Sequence, residues 1–430
     1  MTATSPGTGR RIWLRTLAIL VAGIAAVVAL VAFLNLRGES AADEVAASGP
    51  PSAETIERGA YLARVGNCVG CHTTPGGPDY AGGRGIETPF GTIYASNLTS
   101  DPETGIGDWS AGEFWRAMHN GRSKDGRLLY PAFPYPNYTQ ITREDSDAIF
   151  AYLQSQPPAV RPNRPHALRF PYGLQASLAV WRALYFRPAA FEPDPAQPAD
   201  WNRGAYLVRS LGHCGACHSP RNFLGAVAPA SEFTGGPLSA GAWYAPSLKA
   251  AEEAGVGRWE IGDIVALMQT GQSPQASTIG PMAEVVFRST QHLSEADLRA
   301  MAVFLKALPP QPAAADDGAE PSAASLEQGR AVYEAQCAQC HGDEGEGAPG
   351  AYAPLAGTRA ITMASSANVV RMILDGGFTP STTGNPRPYG MPPFAHSLGN
   401  ADIAAVASYI RNAWGNQAAQ VSALEVMRYR

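Results

Sequence analysis

Three times in this chain two cysteines separated by two residues are followed at once by histidine: Cys68/Cys71/His72, Cys214/Cys217/His218 and Cys337/Cys340/His341. These triplets use all six cysteines. At this spacing two thiols add to the vinyl groups of one haem while the next residue turns its imidazole onto the iron. A structural zinc site normally joins two such half-sites, and a disulfide framework gives the three histidines no reason to be there. Only 8 of 430 residues are histidine, so their placement directly after each cysteine pair carries information. The chain is therefore expected to bind three covalent haem c groups. Cys68, Cys71, Cys214, Cys217, Cys337 and Cys340 would attach them, and His72, His218 and His341 would ligate iron.

A length of 430 residues exceeds one typical core, and about 150 residues per domain suggests roughly three. The net charge of −5 offers no basic surface for nucleic acid. Residues 1–37 are a different material: Arg10, Arg11 and Arg15 precede an uncharged apolar run from Thr16 to Leu36, whose 21 residues are enough to span a bilayer. Asn35-Leu36-Arg37 follows in place of a small-residue cleavage site, which favours a retained anchor over a signal; cleavage within Ala41 to Ala47 stays open. The arginine bias puts the N-terminus inside and the rest outside, so the expected location is a bacterial cytoplasmic membrane with the haem domains facing the periplasm.

Residues 38–53 are small, acidic and aperiodic, and are expected to form a flexible stalk. Two further breaks, Pro188 to Pro198 and Pro309 to Ser325, each precede a new haem motif, giving domains at 54–190, 199–309 and 322–430. Each motif follows a small-residue segment at Gly59, Gly204 or Gly329, and each domain ends in an amphipathic run: Asp145 to Leu153, Asp297 to Leu305, Asp402 to Ile410. A close crossing of first and last helix at those glycines, with Tyr152, Phe304 and Tyr409 filling it, predicts a mainly α chain of three tandem cytochrome c domains, class I-like, behind an N-terminal membrane helix. Domains one and two share more with each other: Asn97-Leu98 and Gly105-Ile106-Gly107-Asp108-Trp109 match Ser247-Leu248 and Gly255-Val256-Gly257-Arg258-Trp259 at identical spacing. Trp109 and Trp259 are read as core. The glycines of Gly82-Gly83-Arg84-Gly85 are read as loop punctuation.

The sixth iron ligand decides redox behaviour, because a thioether opposite histidine raises the potential and closes the iron. Met282 lies 11 residues beyond Gly271 and Met391 lies 15 beyond Gly376, both in Pro/Gly settings expected to be loops before the last helix. They are the axial candidates of domains two and three. The matching loop of domain one, Tyr130-Pro131-Ala132-Phe133-Pro134-Tyr135, carries Phe133, which cannot ligate iron. Met118 falls in register with Met268 as a packing residue. The first haem is left open, weakly ligated or held by a group that the sequence does not reveal.

The order of three C-x-x-C-H domains, with Thr88-Pro89-Phe90-Gly91-Thr92-Ile93-Tyr94, Asn97-Leu98-Thr99, Leu129-Tyr130-Pro131-Ala132 and Ser289-Thr290-Gln291-His292-Leu293, resembles the cytochrome c subunit of membrane-bound alcohol, gluconate, sorbitol and fructose dehydrogenases. The resemblance covers nearly everything after the stalk. It implies an electron-transfer subunit that takes electrons from a large dehydrogenase subunit, of flavoprotein, quinoprotein or molybdenum type, and passes them to ubiquinone in the membrane. It also implies Met282 and Met391 as axial ligands, while Phe133 departs from the alcohol dehydrogenase pattern.

No nucleophile elbow of the Gly-x-Ser-x-Gly kind occurs, and substrate catalysis on this chain is not expected. Two other readings remain: a tethered cytochrome donating to a terminal oxidase without a dedicated dehydrogenase, and a haem enzyme or gas-binding protein at the first haem. The latter would need a proton donor, for which His119 and Tyr135 are the nearby candidates.

Overall fold

The computed structural model describes residues 6–39, 49–238 and 243–430. The apolar run forms helix α1 (Pro6–Leu36), the one helix among the described residues long and apolar enough to cross a membrane. Most of its length is exposed, but its last turn is fastened to the body of the protein. Asn35 Nδ2 donates to the Ala179 carbonyl at 2.9 Å, and Arg37 donates to the Phe186 carbonyl at 2.6 Å. Just past the helix, Asn120 donates to the Gly38 carbonyl at 3.1 Å and Arg122 pairs with Glu39 at 2.7 Å. Gly38 and Glu39, expected to open the stalk, are thus hydrogen-bonded to the first domain, and residues 40–48 of that segment lie outside the described residues. The candidate cleavage segment Ala41 to Ala47 lies outside the described residues.

Beyond it, three repeats share one design. The longer helices of the first are α2 (Ala53–Val65), α3 (Ala111–Asn120) and α4 (Arg143–Gln154). A linker helix α5 (Gln175–Tyr185) leads to α6 (Ala199–Arg209), α7 (Ile261–Thr270), α8 (Gly280–Arg288) and α9 (Glu295–Lys306) of the second. The third has α10 (Ala323–Gln336), α11 (Ala367–Asp375) and α12 (Asn400–Ile410). Starts are set by side-chain caps: Ser52, Thr142, Ser294 and Ser322 each accept from a backbone N–H three residues on, and Ser110 with Glu113 forms a full capping box. Strands are minor; the largest sheet pairs Gly85–Thr88 with Gly91–Tyr94 and adds Ala167–Leu168 at its edge.

First and last helices cross as the glycines require. A Cβ on Gly59 would lie 1.8 Å from the Ala148 carbonyl oxygen, on Gly204 1.9 Å from that of Ala300, and on Gly329 2.2 Å from that of Ala405. Tyr152, Phe304 and Tyr409 each lie within 3 Å of the same points. Backbone-to-backbone contact at α2/α4, α6/α9 and α10/α12 is therefore available only to a residue without a side chain.

Packing divides the chain in two, not three. One continuous core runs from Leu62, Phe114 and Ile149 into Leu207, Phe233, Leu298 and Phe304, joining the first and second repeats. The third has its own core around Tyr333, Val370, Ile403 and Val406. The fusion is reciprocal. Tyr206 of the second repeat donates to Asp145 of the first at 2.5 Å, while Tyr61 of the first donates to Asp297 of the second at 2.6 Å. Each carboxylate is also held within its own repeat, Asp145 by Arg58 and Asp297 by Arg203. Each tyrosine oxygen in turn accepts the N–H of the other repeat's helix cap, Thr142 or Ser294. The matched residues thus contact each other crosswise, as in an isologous dimer. In the third repeat Gln328 and Ala331 occupy the corresponding positions, and Gln328 bonds its own Asp402.

Candidate haem sites

Every C-x-x-C-H segment is a single helical turn at the end of its repeat's first helix: Cys68–His72, Cys214–Ala216 and Ala338–His341. A left-handed residue, Asn67 at φ 48° or His213 at φ 37°, turns the chain sharply into the first two. The three histidines are then oriented alike. His72 Nδ1 lies 2.7 Å from the Ser96 carbonyl, His218 Nδ1 2.8 Å from that of Pro246, and His341 Nδ1 2.9 Å from that of Ala353. A carbonyl can only accept, so Nδ1 carries the proton and Nε2 keeps the lone pair that iron needs.

The loops that bring those carbonyls to the histidines are positioned by glycine. Gly82 N–H donates to the His72 carbonyl at 2.7 Å, Gly235 to that of His218 at 2.9 Å, and Gly347 to that of His341 at 2.8 Å. All three have positive φ (71°, 76° and 64°), and a Cβ would lie 2.4 Å from Ser96 C, 2.5 Å from Ser247 N or 2.5 Å from Tyr352 O. Gly82 is therefore part of the site and not mere loop punctuation. Its role is hidden in the sequence because its distance from the motif varies between repeats. The paired Asn97-Leu98 and Ser247-Leu248 were the available signal, since they directly follow the accepting carbonyls.

Two arginines brace the turns. Arg84 donates to the Gly70 carbonyl and forms a forked pair with Glu284 of α8 at 2.6 and 2.9 Å, tying the first motif to the second repeat. Arg221 donates to the Ala216 carbonyl, which stands where Gly70 stands in the first motif, at 2.8 Å. Burial pushes the Glu284 carboxyl up, but the hydrogen bond and charge of Arg84, with Arg288, outweigh it and hold it below its usual range. As free thiols, Cys68 and Cys214 are pushed up to about 12, by burial first and by Cys71 or Cys217 second. Uncharged at neutral pH, these pairs are poorly suited to dithiol exchange.

The axial candidates divide. Met391 ends a two-residue strand, Gly390–Met391, paired with Gly377–Phe378, and packs half-buried on the third core. Met282 lies in the first turn of α8, not in a loop: Pro281 at the helix start suits helix initiation as well as it suits a turn. Phe133 packs on the shared core with its ring 5.3 Å from that of Tyr138. Met118 is buried in the same core. His119 stacks on Trp115 at 4.5 Å, and Tyr135 is fully buried against Phe186 and Gly121, so both serve packing. His166 Nδ1 accepts from the Tyr94 N–H. Trp259 is core, yet its buried Nε1 has no acceptor among the described residues, which fits the carboxylate of a haem edge.

The family model for cytochrome c matches residues 56–157 and 326–414. The alcohol dehydrogenase (quinone) cytochrome c subunit of Gluconacetobacter polyoxogenes is 38% identical over 87% of this chain and 84% of its own. The gluconate 2-dehydrogenase cytochrome c subunit of Pantoea cypripedii is 35% identical over 87% and 89%. The fructose dehydrogenase cytochrome subunit of Gluconobacter japonicus is 34% identical over 94% of this chain and 87% of its own. With the motif turns, the histidine orientation and the three helix crossings in place, the chain belongs to the cytochrome c subunits of membrane dehydrogenases, and its work is electron transfer.

Proposed function

We propose that this chain is a membrane-anchored triheme cytochrome that takes electrons from a periplasmic dehydrogenase subunit and delivers them to ubiquinone. The observation that carries the haem count is the threefold repetition of one arrangement, motif turn, carbonyl-held histidine and glycine brace, at 54–190, 199–309 and 322–430. When bound, haem supplies a one-electron iron couple. The chain's own part is to fix the imidazoles, exclude water and hold the haem edges apart at set distances. Met282 and Met391 would supply a thioether to the second and third haems, and the first repeat offers no methionine there because Phe133 stands at that position.

The catalytic partner is a large flavoprotein, quinoprotein or molybdenum subunit. The similarity to a quinone-dependent alcohol dehydrogenase and the apolar helix α1 support a membrane acceptor on the periplasmic side of the cytoplasmic membrane. Purification of the tagged full chain from membranes tests the reading. Intact mass should show three haems, with a dehydrogenase subunit co-purifying in stoichiometric amount. Two haems, or recovery with oxidase subunits alone, overturns it.

A further inference from the structure

We infer that the linker between the first two repeats forms a lipid-facing surface, so that this body rests on the outer leaflet that α1 spans. The inference builds on the membrane reading above. Apolar α1 residues from Thr16 to Leu36 span about 31 Å at 1.5 Å per residue, which places Asn35 and Leu36 at the far interface of a roughly 30 Å hydrocarbon layer. Asn35 bonds directly to α5, through its Nδ2 to the Ala179 carbonyl and through its Oδ1 to Arg182 Nε at 2.9 Å. Arg182 is buried, over the rings of Tyr135 and Phe186, so this joint is internal and fixed. Helix α5 therefore lies at the level of the headgroups.

Its outward side is apolar. Val180 and Leu184, four residues apart on one face, are 49% and 56% exposed, while Leu178 and Phe186 face inward. The preceding loop adds Phe170, 85% exposed, with Leu174, and Phe223 at 86% completes the surface. These pieces are joined: Trp181 Nε1 donates to the Leu224 carbonyl at 2.9 Å, and Phe90 packs on Tyr172 with ring centroids 4.6 Å apart. Exposed Arg169 and Arg187 flank the patch. Large apolar side chains exposed on α5 and on the segments bonded or packed to it, next to arginine in the chain and fixed to the end of the apolar helix, match the chemistry of acyl chains beneath anionic headgroups.

Nitroxide labels on the full-length holoprotein in phosphatidylethanolamine/phosphatidylglycerol nanodiscs test this. Phe170→Cys and Leu184→Cys probe the patch, Val27→Cys the span, and Val160→Cys an exposed apolar site elsewhere. Oxygen accessibility relative to an aqueous nickel chelate should be at least about threefold higher at 170 and 184 than at 160. Photoactivatable phospholipid should also give adducts on 170–187 in the unsubstituted chain, a measurement independent of how the variants fold. Ratios at 170 and 184 equal to 160, with 27 in lipid, overturn the patch and leave the anchor. An aqueous 27 overturns both, and shielding of 170 and 184 from both reagents overturns the lipid assignment in favour of a protein partner.

Discussion

Replacing Tyr206 with phenylalanine removes one hydroxyl and tests the crosswise fusion of the first two repeats. That hydroxyl donates to Asp145 Oδ2 at 2.5 Å and accepts the Thr142 N–H at 3.2 Å. Burial pushes the Tyr206 hydroxyl up, and the charge and hydrogen bond of Asp145 push it further. A buried hydrogen bond to a charged acceptor contributes about 1.5–3 kcal/mol, and the ring itself stays packed, so the loss should be about 2 kcal/mol. For a unit of this size each kcal/mol moves the midpoint by about 2–4 °C, so a fall of about 4–8 °C is expected. Tyr61→Phe should do less, because its site is more exposed and Asp297 Oδ2 also receives Arg203 at 2.8 Å. Thermal unfolding of the holoprotein, followed by Soret circular dichroism, separates the transition of the fused pair from that of the third repeat. A shift below about 1 °C, or equal movement of both transitions, would refute the reasoning.

Gly329→Ala gains about 1 kcal/mol of helix propensity but places a methyl 2.2 Å from the Ala405 carbonyl, so the third repeat should melt lower; a rise would contradict the crossing. Met391→Ala should lower the potential of a single haem, within the roughly 0.8 V that axial ligands govern, and remove one sulfur-to-iron band in the near infrared. For Asp297 burial alone pushes the carboxyl up, yet hydrogen bonds from Arg203 and Tyr61 overcome it and hold it below its usual range. A depressed folded value stabilises above the unfolded value, about 3.9, and the contribution disappears as pH falls through the folded one. Asp297→Asn should therefore flatten the acid limb of a stability profile below about pH 5 and lower the plateau above it.

Periodic features of the fold were legible in the sequence. Glycine at 59, 204 and 329 and aromatics at 152, 304 and 409 recur in the same place in each repeat, so the repetition reveals them although each pair meets across a long stretch of chain. The three cysteine and histidine triplets stood out because their spacing is fixed, and the structure gives the three histidines one common orientation. Other features were hidden. Gly82, Gly235 and Gly347 perform one task at offsets of 10, 17 and 6 residues from the histidine, because the intervening loop length is free to vary once its ends meet. Nor did spacing show that Tyr61 and Tyr206 reach across to each other's repeat, since the same tyrosine could equally have filled its own crossing. Met282 sits in a helix because proline both breaks and begins helices, and only the surrounding packing decides which.

The bonds from Asn35, Arg37, Gly38 and Glu39 into the first repeat change how this protein can meet others. A redox domain on a loose leash samples many orientations, and each productive encounter must wait for the right one. With α1 placed in a bilayer, as proposed, these bonds would restrict rotation to the axis of α1, so that one side of the molecule would face the bilayer and the opposite side would face away. Encounters with a partner confined to the same membrane become a search in two dimensions by surfaces already aligned, and lengthening the chain by a few residues after Leu36 would slow that search without altering any haem.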